Sequence, residues 1–283
     1  MAILLDYVLR ALQTGVVSEY HVWDYARTPR DRIWLQTLPE RHHAIRVLTP
    51  PSSDRHYRAY YRHYRRDTYR DTVFVKIDDD IVYANLEQLP AFLAFRIAHP
   101  GYFLVSANVV NNGVCAYFQQ QQGVVPASLM DLPYPERGFC GTLWERPDLA
   151  ERLHGYFLDA PDRFSTTGID KAPDRLSINF VSYLGSDLDQ IANVGDDDEE
   201  EMSVTIPRRL GRTNVIFRPM VVSHLSFVAQ DRGMRVARLL RRYRELAETG
   251  SSPSRPRLWD WVDAGLCGRT VDRMRRRIRG WRQ

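Results

Sequence analysis

The chain has 283 residues, 44% of them hydrophobic and 26% charged, which are the proportions of a soluble globular protein of one large domain or two small ones rather than of a disordered chain. Its 39 basic and 35 acidic residues leave a net charge of +4, too balanced to argue for nucleic-acid binding, and lysine occurs only at 76 and 171. Cys115, Cys140 and Cys267 are too few and too scattered for a disulfide framework or a zinc site. No apolar run approaches the roughly 18 residues of a membrane-spanning helix, and residues 1–6 lack the basic start of a signal peptide, so the expected compartment is the cytoplasm.

Hydrophobic periodicity predicts helices over 3–13, 31–38, 55–66 and 86–98. Between them fall strands at 20–23, 44–48, 72–77 and 102–105. Strand and helix alternate, so the expected fold class is α/β with a largely parallel sheet. The second half is less regular. The glutamines at 119–122 read as a loop and 126–141 as turn-rich; helices are expected over 148–158, 174–184 and 234–247, and short strands at 214–217 and 220–222. The Ser/Pro-rich stretch 248–257 reads as a linker, followed by a basic tail over 258–283.

The strongest chemical signal is Val73–Tyr83, where an apolar strand runs straight into Asp78, Asp79 and Asp80. Ligands of open α/β sheets bind beyond the carboxyl ends of the strands. Adjacent carboxylates repel unless a cation or donor groups compensate, and a hard divalent cation takes oxygen ligands while leaving positions for phosphate oxygens. Asp78 and Asp80 are therefore candidate metal ligands facing a phosphorylated compound. The bland alternative is a solvated acidic turn.

A strand followed by Asp-x-Asp after two β-α units resembles the nucleotide-sugar glycosyltransferases of GT-A fold, a Rossmann-like mixed sheet flanked by helices. Further blocks extend the likeness: Glu19–Asp24, Phe74–Val82, Ser106–Asn112, Asp196–Val204 and Val222–Phe227, with a closing helix ending at Ala247. Together they span residues 1–247, expected to form one glycosyltransferase domain. The resemblance implies Asp80 on Mn²⁺ or Mg²⁺, Asp78 and Asp79 beside the nucleotide sugar, and His224 completing the metal site. The donor would be a UDP-, GDP- or dTDP-sugar, and the acceptor a glycan, lipid-linked or protein hydroxyl in polysaccharide or glycoconjugate synthesis. The chain departs from the family pattern at its start: Met1 falls where the helix after the first strand should begin, so that strand is missing or the true start lies upstream.

Asp196–Glu201 is a run of six acids. Such runs are commonly solvated loops. An inverting transferase needs a carboxylate that removes the proton of the attacking hydroxyl, and by family position Asp198 and Glu199 are the candidate catalytic bases, with Glu200 next. Sequence leaves inversion or retention open.

Two other segments and two rival readings of the chain remain. Residues 55–70 interleave arginines with Tyr57, Tyr60, Tyr61 and Tyr64, a composition that can stack on single-stranded nucleic acid; helical spacing of the tyrosines favours a crossover helix packed on the sheet. Asp78-x-Asp80 also fits a haloacid-dehalogenase-like phosphatase with Asp78 as nucleophile and Ser106, Lys171 and Asp196 as its remaining parts. An Arg-rich nucleic-acid-binding protein is a third reading, weakened by the charge balance. In the tail, Val271, Met274, Ile278 and Trp281 share one helical face among arginines, a pattern suited to weak peripheral contact with an anionic membrane or to docking on the domain itself.

Overall fold

The computed structural model describes residues 1–51, 58–135, 141–230 and 232–249. The apolar stripe of the first segment becomes α1 (Ala2–Gln13), burying Ile3, Leu4, Tyr7, Val8, Ala11 and Leu12. β1 (Tyr20–Trp23) and β2 (Ile45–Leu48) pair in parallel as a two-stranded sheet. Between them α2 (Pro29–Gln36) starts on Thr28, whose hydroxyl accepts from the Asp31 amide at 3.0 Å, with Pro29 as its first residue. α3 (Arg58–His63) follows β2; Tyr61 within it and Tyr64 just after it are buried in the interior, as the packed-helix reading of the tyrosines predicts.

Six strands build the main sheet: β3 (Val73–Ile77), β4 (Ile81–Ala84), β5 (Tyr102–Val110), β6 (Ile169–Ala172), β7 (Phe180–Leu184) and β8 (Thr213–His224). Their order is β3-β7-β5-β8-β4, and β6 pairs with the first half of β8 beside β4. The protein is thus mixed α/β. The expectation of a largely parallel sheet is corrected: within this sheet β5 and β8 run parallel, whereas β7 inserts antiparallel between β3 and β5, and β4 and β6 are antiparallel to β8.

Two local expectations also fail for physical reasons. Residues 180–184 are a strand, not part of a helix over 174–184. Between β3 and β5 both faces of β7 are covered, so the segment is apolar on both sides, and such a run cannot be told from a buried helix by period alone. Residues 214–222 belong to one continuous strand, not two. The register against β5 jumps from Phe217 to Val221, and Pro219, which has no N–H to give, sits in that irregularity.

Helices cover the sheet on both sides. α4 (Leu89–Ala98) follows β4 and sets Phe92 against Phe180 and Phe217. α5 (Gly113–Gln121) follows β5, capped by Asn112, whose side chain accepts from the amides of Val114 and Cys115 at 3.1 Å each. The glutamines at 119–121 are therefore helical; Gln119 is buried and donates to Asn108 at 2.8 Å. After the short α6 (Thr142–Glu145), α7 (Pro147–Asp159) packs Phe157 against Tyr243 of the closing helix. α8 (Leu188–Ile191) and α10 (Ile206–Leu210) lie on a second apolar cluster with Tyr61, Val181, Tyr183 and Met202, and the short α9 (Asp198–Glu200) leads into α10. α11 (Val236–Thr249) runs two residues into the expected linker; the rest of that linker and the basic tail lie outside the described residues. No helix among the described residues is long and apolar enough to cross a membrane.

Candidate metal centre

β3 and β4 stand at opposite ends of the strand order, yet only Asp78, Asp79 and Asp80 join them. The triplet therefore runs across an edge of the sheet and turns no hairpin. Ile77 pairs with Phe180, Ile81 with His224 and Val110 with Ser223. The carboxyl ends of β3, β5 and β8 and the amino ends of β4 and β7 thus meet at this edge, the ligand-binding side of open α/β sheets.

Asp78, Asp80 and His224 each offer a ligand atom, and these atoms lie within 4.8 Å of one another. His224 Nε2 is 3.1 Å from Asp80 Oδ2. Burial opposes a charge on this imidazole, but Asp80 raises its pKa above the ordinary histidine value. Burial likewise favours the neutral form of Asp80, and His224 nevertheless holds that carboxyl below the usual range. The Asp80 carbonyl accepts from the Leu225 amide at 3.1 Å, tying the triplet to the end of β8. His224 is 4% exposed, packs its ring on Phe227, and leaves Nδ1 buried with no hydrogen-bond partner. Two carboxylates and an imidazole this close together could hold a divalent cation.

Asp78 is held from both sides. Lys76 Nζ donates to its Oδ1 at 2.5 Å and Asn179 Nδ2 to its Oδ2 at 3.0 Å. Asn179 in turn accepts from Asn112 at 3.2 Å, so the cap of α5 is linked to the site. Asp79 is exposed at the tip of the crossing, outside the ligating group.

The acidic run is not a solvated loop. Asp197 caps a helical turn by accepting from the Glu200 amide at 3.0 Å, and the helix continues through a π turn (Glu201–Thr205) into α10. Carboxylates are favoured at a helix N-terminus. Arg175 binds Asp197 through two bonds of 2.8 Å, Glu199 at 3.0 Å and Glu200 at 3.4 Å. Asp198 takes other partners: its Oδ2 accepts from Tyr61 at 2.9 Å and from Tyr60 at 3.3 Å. Burial, with Asp198 beside them, keeps both phenols protonated well above their ordinary value, so both remain donors. Burial also raises the Glu199 carboxyl, against the opposing pull of Arg175.

Lys76 joins the two acidic groups. Burial works against its charge, but Asp78 foremost, then Asp198 and Glu199, hold the ammonium above its ordinary value. Candidate residues separated by up to 146 positions in the chain thus form one charged neighbourhood. The sequence assigned no role to Lys76, Asn179 or Arg175, and it pointed to Tyr60 and Tyr61 only as packing or stacking residues, not as partners of Asp198. The only available signal was for Lys76, one of two lysines in an arginine-rich chain and two residues before the first acid.

Two residues of the phosphatase reading lie within strands. Ser106 lies within β5, buried, with its hydroxyl donating to the Ala107 carbonyl at 2.8 Å. Lys171 is exposed on β6, opposite Val215 of β8. No protein-family model matches the chain, and no curated protein matches it significantly.

Proposed function

We propose that the chain is a metal-dependent glycosyltransferase of GT-A-like fold that moves a sugar from a nucleotide-sugar donor to an acceptor hydroxyl. The observation that carries this reading is the Asp78–Asp80–His224 group at the sheet edge, with Asp198 and Glu199 near enough to act on the charge of Lys76, the partner of Asp78. A transfer of this kind needs a cation for the diphosphate and a carboxylate for the acceptor proton, side by side.

Asp80 and His224, with Asp78, would hold Mn²⁺ or Mg²⁺, which supplies charge stabilisation for a departing diphosphate. Asp78 is fixed by Lys76 and Asn179 and is suited to orient the donor. Asp198 is the preferred base. Its Oδ2 is occupied by two phenols, which fix the carboxylate and leave Oδ1 to accept a proton. In the proposed step the acceptor oxygen attacks the anomeric carbon and the bond from that carbon to the diphosphate oxygen breaks. The hydroxyl proton passes to Asp198. The positive character at the anomeric carbon resembles that in glycoside hydrolysis. Glu199, bound to Arg175, is the second candidate.

A calorimetric screen of UDP-, GDP- and dTDP-sugars, with and without Mn²⁺, tests the proposal. Metal-dependent binding of one donor class supports it. Binding of none, or a phosphoenzyme formed at Asp78, overturns it.

A further inference from the structure

His154 of α7, Tyr243 of α11 and Ser223 of β8 are each fully buried and lie outside the charged cluster. His154 Nε2 is 2.9 Å from the Leu225 carbonyl, and its Nδ1 is 2.7 Å from the Tyr243 hydroxyl. That hydroxyl is also 2.7 Å from Ser223 Oγ.

The proton positions follow from the partners. A carbonyl oxygen can only accept, so Nε2 carries the hydrogen. A neutral imidazole then has a bare Nδ1, and of the two hydroxyls within reach Tyr243 at 2.7 Å is the donor rather than Ser223 at 3.4 Å. Its single proton spent, the Tyr243 oxygen accepts from Ser223. One directed chain results: Ser223 to Tyr243, Tyr243 to His154, His154 to the Leu225 carbonyl. Ser223 and Leu225 are the two neighbours of His224. The chain therefore closes a loop around that residue and clamps the peptide on both sides of it to α7 and α11. Two more bonds secure the same turn: Asn111 Nδ2 donates to the Leu225 carbonyl at 3.2 Å, and the Leu225 amide donates to Asp80.

We propose that His154 and Tyr243 are positioning residues for the metal ligand His224, holding its imidazole against Asp80 through the hydrogen-bonded loop that starts at Ser223 and ends at Leu225. The proposal deepens the metal reading of this edge and rests on it. Buried partners that orient a ligating histidine affect metal affinity even though they never touch the ion.

The test is titration of the full chain with Mn²⁺ alone, followed by calorimetry. Tyr243→Phe removes one hydroxyl and should weaken Mn²⁺ binding about 10-fold, the lower end of what such partners contribute elsewhere. Adding Ser223→Ala should weaken it further. Leu246→Ala, on the same helix and equally buried, should lower stability and leave Mn²⁺ affinity unchanged. Should Tyr243→Phe fail to fold, Ser223→Ala alone decides, with several-fold weaker binding expected. Native-like affinity in the hydroxyl variants overturns the positioning role while the metal reading stands, and so does equal weakening by Leu246→Ala. No Mn²⁺ binding by the native chain removes the metal reading and this proposal together.

Discussion

Lys76 and Asp78 lie two residues apart, on the same face of the chain as it leaves β3, and pair at 2.5 Å at the edge of the sheet. The lysine side chain is 16% exposed and also donates to the Ile178 carbonyl at 2.9 Å. Its charge is felt by both acidic groups, directly by Asp78 and through space by Asp198 and Glu199. Removing one partner of such a pair costs roughly 3–5 kcal/mol when it strands a buried charge.

Lys76→Met is therefore expected to lower stability by up to about 3 kcal/mol, since Asp78 keeps some access to water. Added Mn²⁺ should restore part of that loss, because a cation at the site takes over the compensation. Thermal unfolding of both forms with and without Mn²⁺ checks this. A larger metal-induced rise in Tm for the variant than for the native chain is the expected result, and an equal rise would contradict it.

His154 gives a pH signature. Burial, the dominant cause, pushes its pKa down to about 3 from the ordinary 6.5. Once the pH falls below 6.5 the unfolded chain binds a proton at this ring, and the folded chain does not until about pH 3. The contribution of the neutral ring is thus complete above pH 6.5 and declines as pH falls, by about 1.4 kcal/mol per unit. Between pH 7 and pH 5 the native chain should lose about 2 kcal/mol more than His154→Gln. Urea unfolding of the two at both pH values measures the difference, in which all other titrating groups cancel. Parallel losses would show that His154 already titrates in the fold.

Legibility in the sequence tracked local chemistry. α1, α4 and α7 announced themselves through apolar periodicity, while α2 was placed two residues late, at 31–38 instead of Pro29–Gln36, because its start is set by the Thr28 cap and Pro29 and not by an apolar stripe. The acids at the end of β3 were visible because a strand delivers them to an edge. β7 was misread because a strand covered on both faces has no alternation. α5 was missed because it is nine residues long and its cap, Asn112, resembles an ordinary turn residue. The partners of the acids were hidden for another reason. Asn179 reaches Asp78 across 101 positions, and Tyr61 reaches Asp198 across 137. No spacing rule encodes such contacts; they arise from the strand order.

Gly185 tests that strand order directly. It follows β7, its amide donates to the Thr72 carbonyl at 2.7 Å, and a Cβ there would fall 1.8 Å from the Tyr69 carbonyl oxygen and 2.9 Å from that of Arg70. Both obstacles are backbone and cannot rotate away. Gly185→Ala should cost about 3 kcal/mol, the upper part of the range for overpacking. Gly101→Ala, with nothing within 4 Å, should stay within about 0.5 kcal/mol of native. Denaturant midpoints compare the two, and a neutral Gly185→Ala would mean that β3 and β7 do not meet as described.

The roles assigned to the two acidic groups separate kinetically. Asp80 belongs to the ligating group, so Asp80→Ala should abolish the Mn²⁺-dependent part of donor binding. The loss should be at least the 10- to 100-fold typical of mere outer partners. Asp198 touches no ligating atom, and Asp198→Asn keeps an oxygen for Tyr60 and Tyr61 while losing the capacity to take a proton. Its donor affinity should therefore stay native, while kcat falls on the order of 100- to 10,000-fold, the span of a general base. Tyr61→Phe leaves Asp198 with the longer of its two phenol bonds and should give a smaller drop in kcat. Once a donor and acceptor are found, steady-state rates at saturating donor read all three variants. A native rate in Asp198→Asn together with a collapsed rate in Glu199→Gln would transfer the proton-accepting role to Glu199, and Arg175 would then be the residue that orients it.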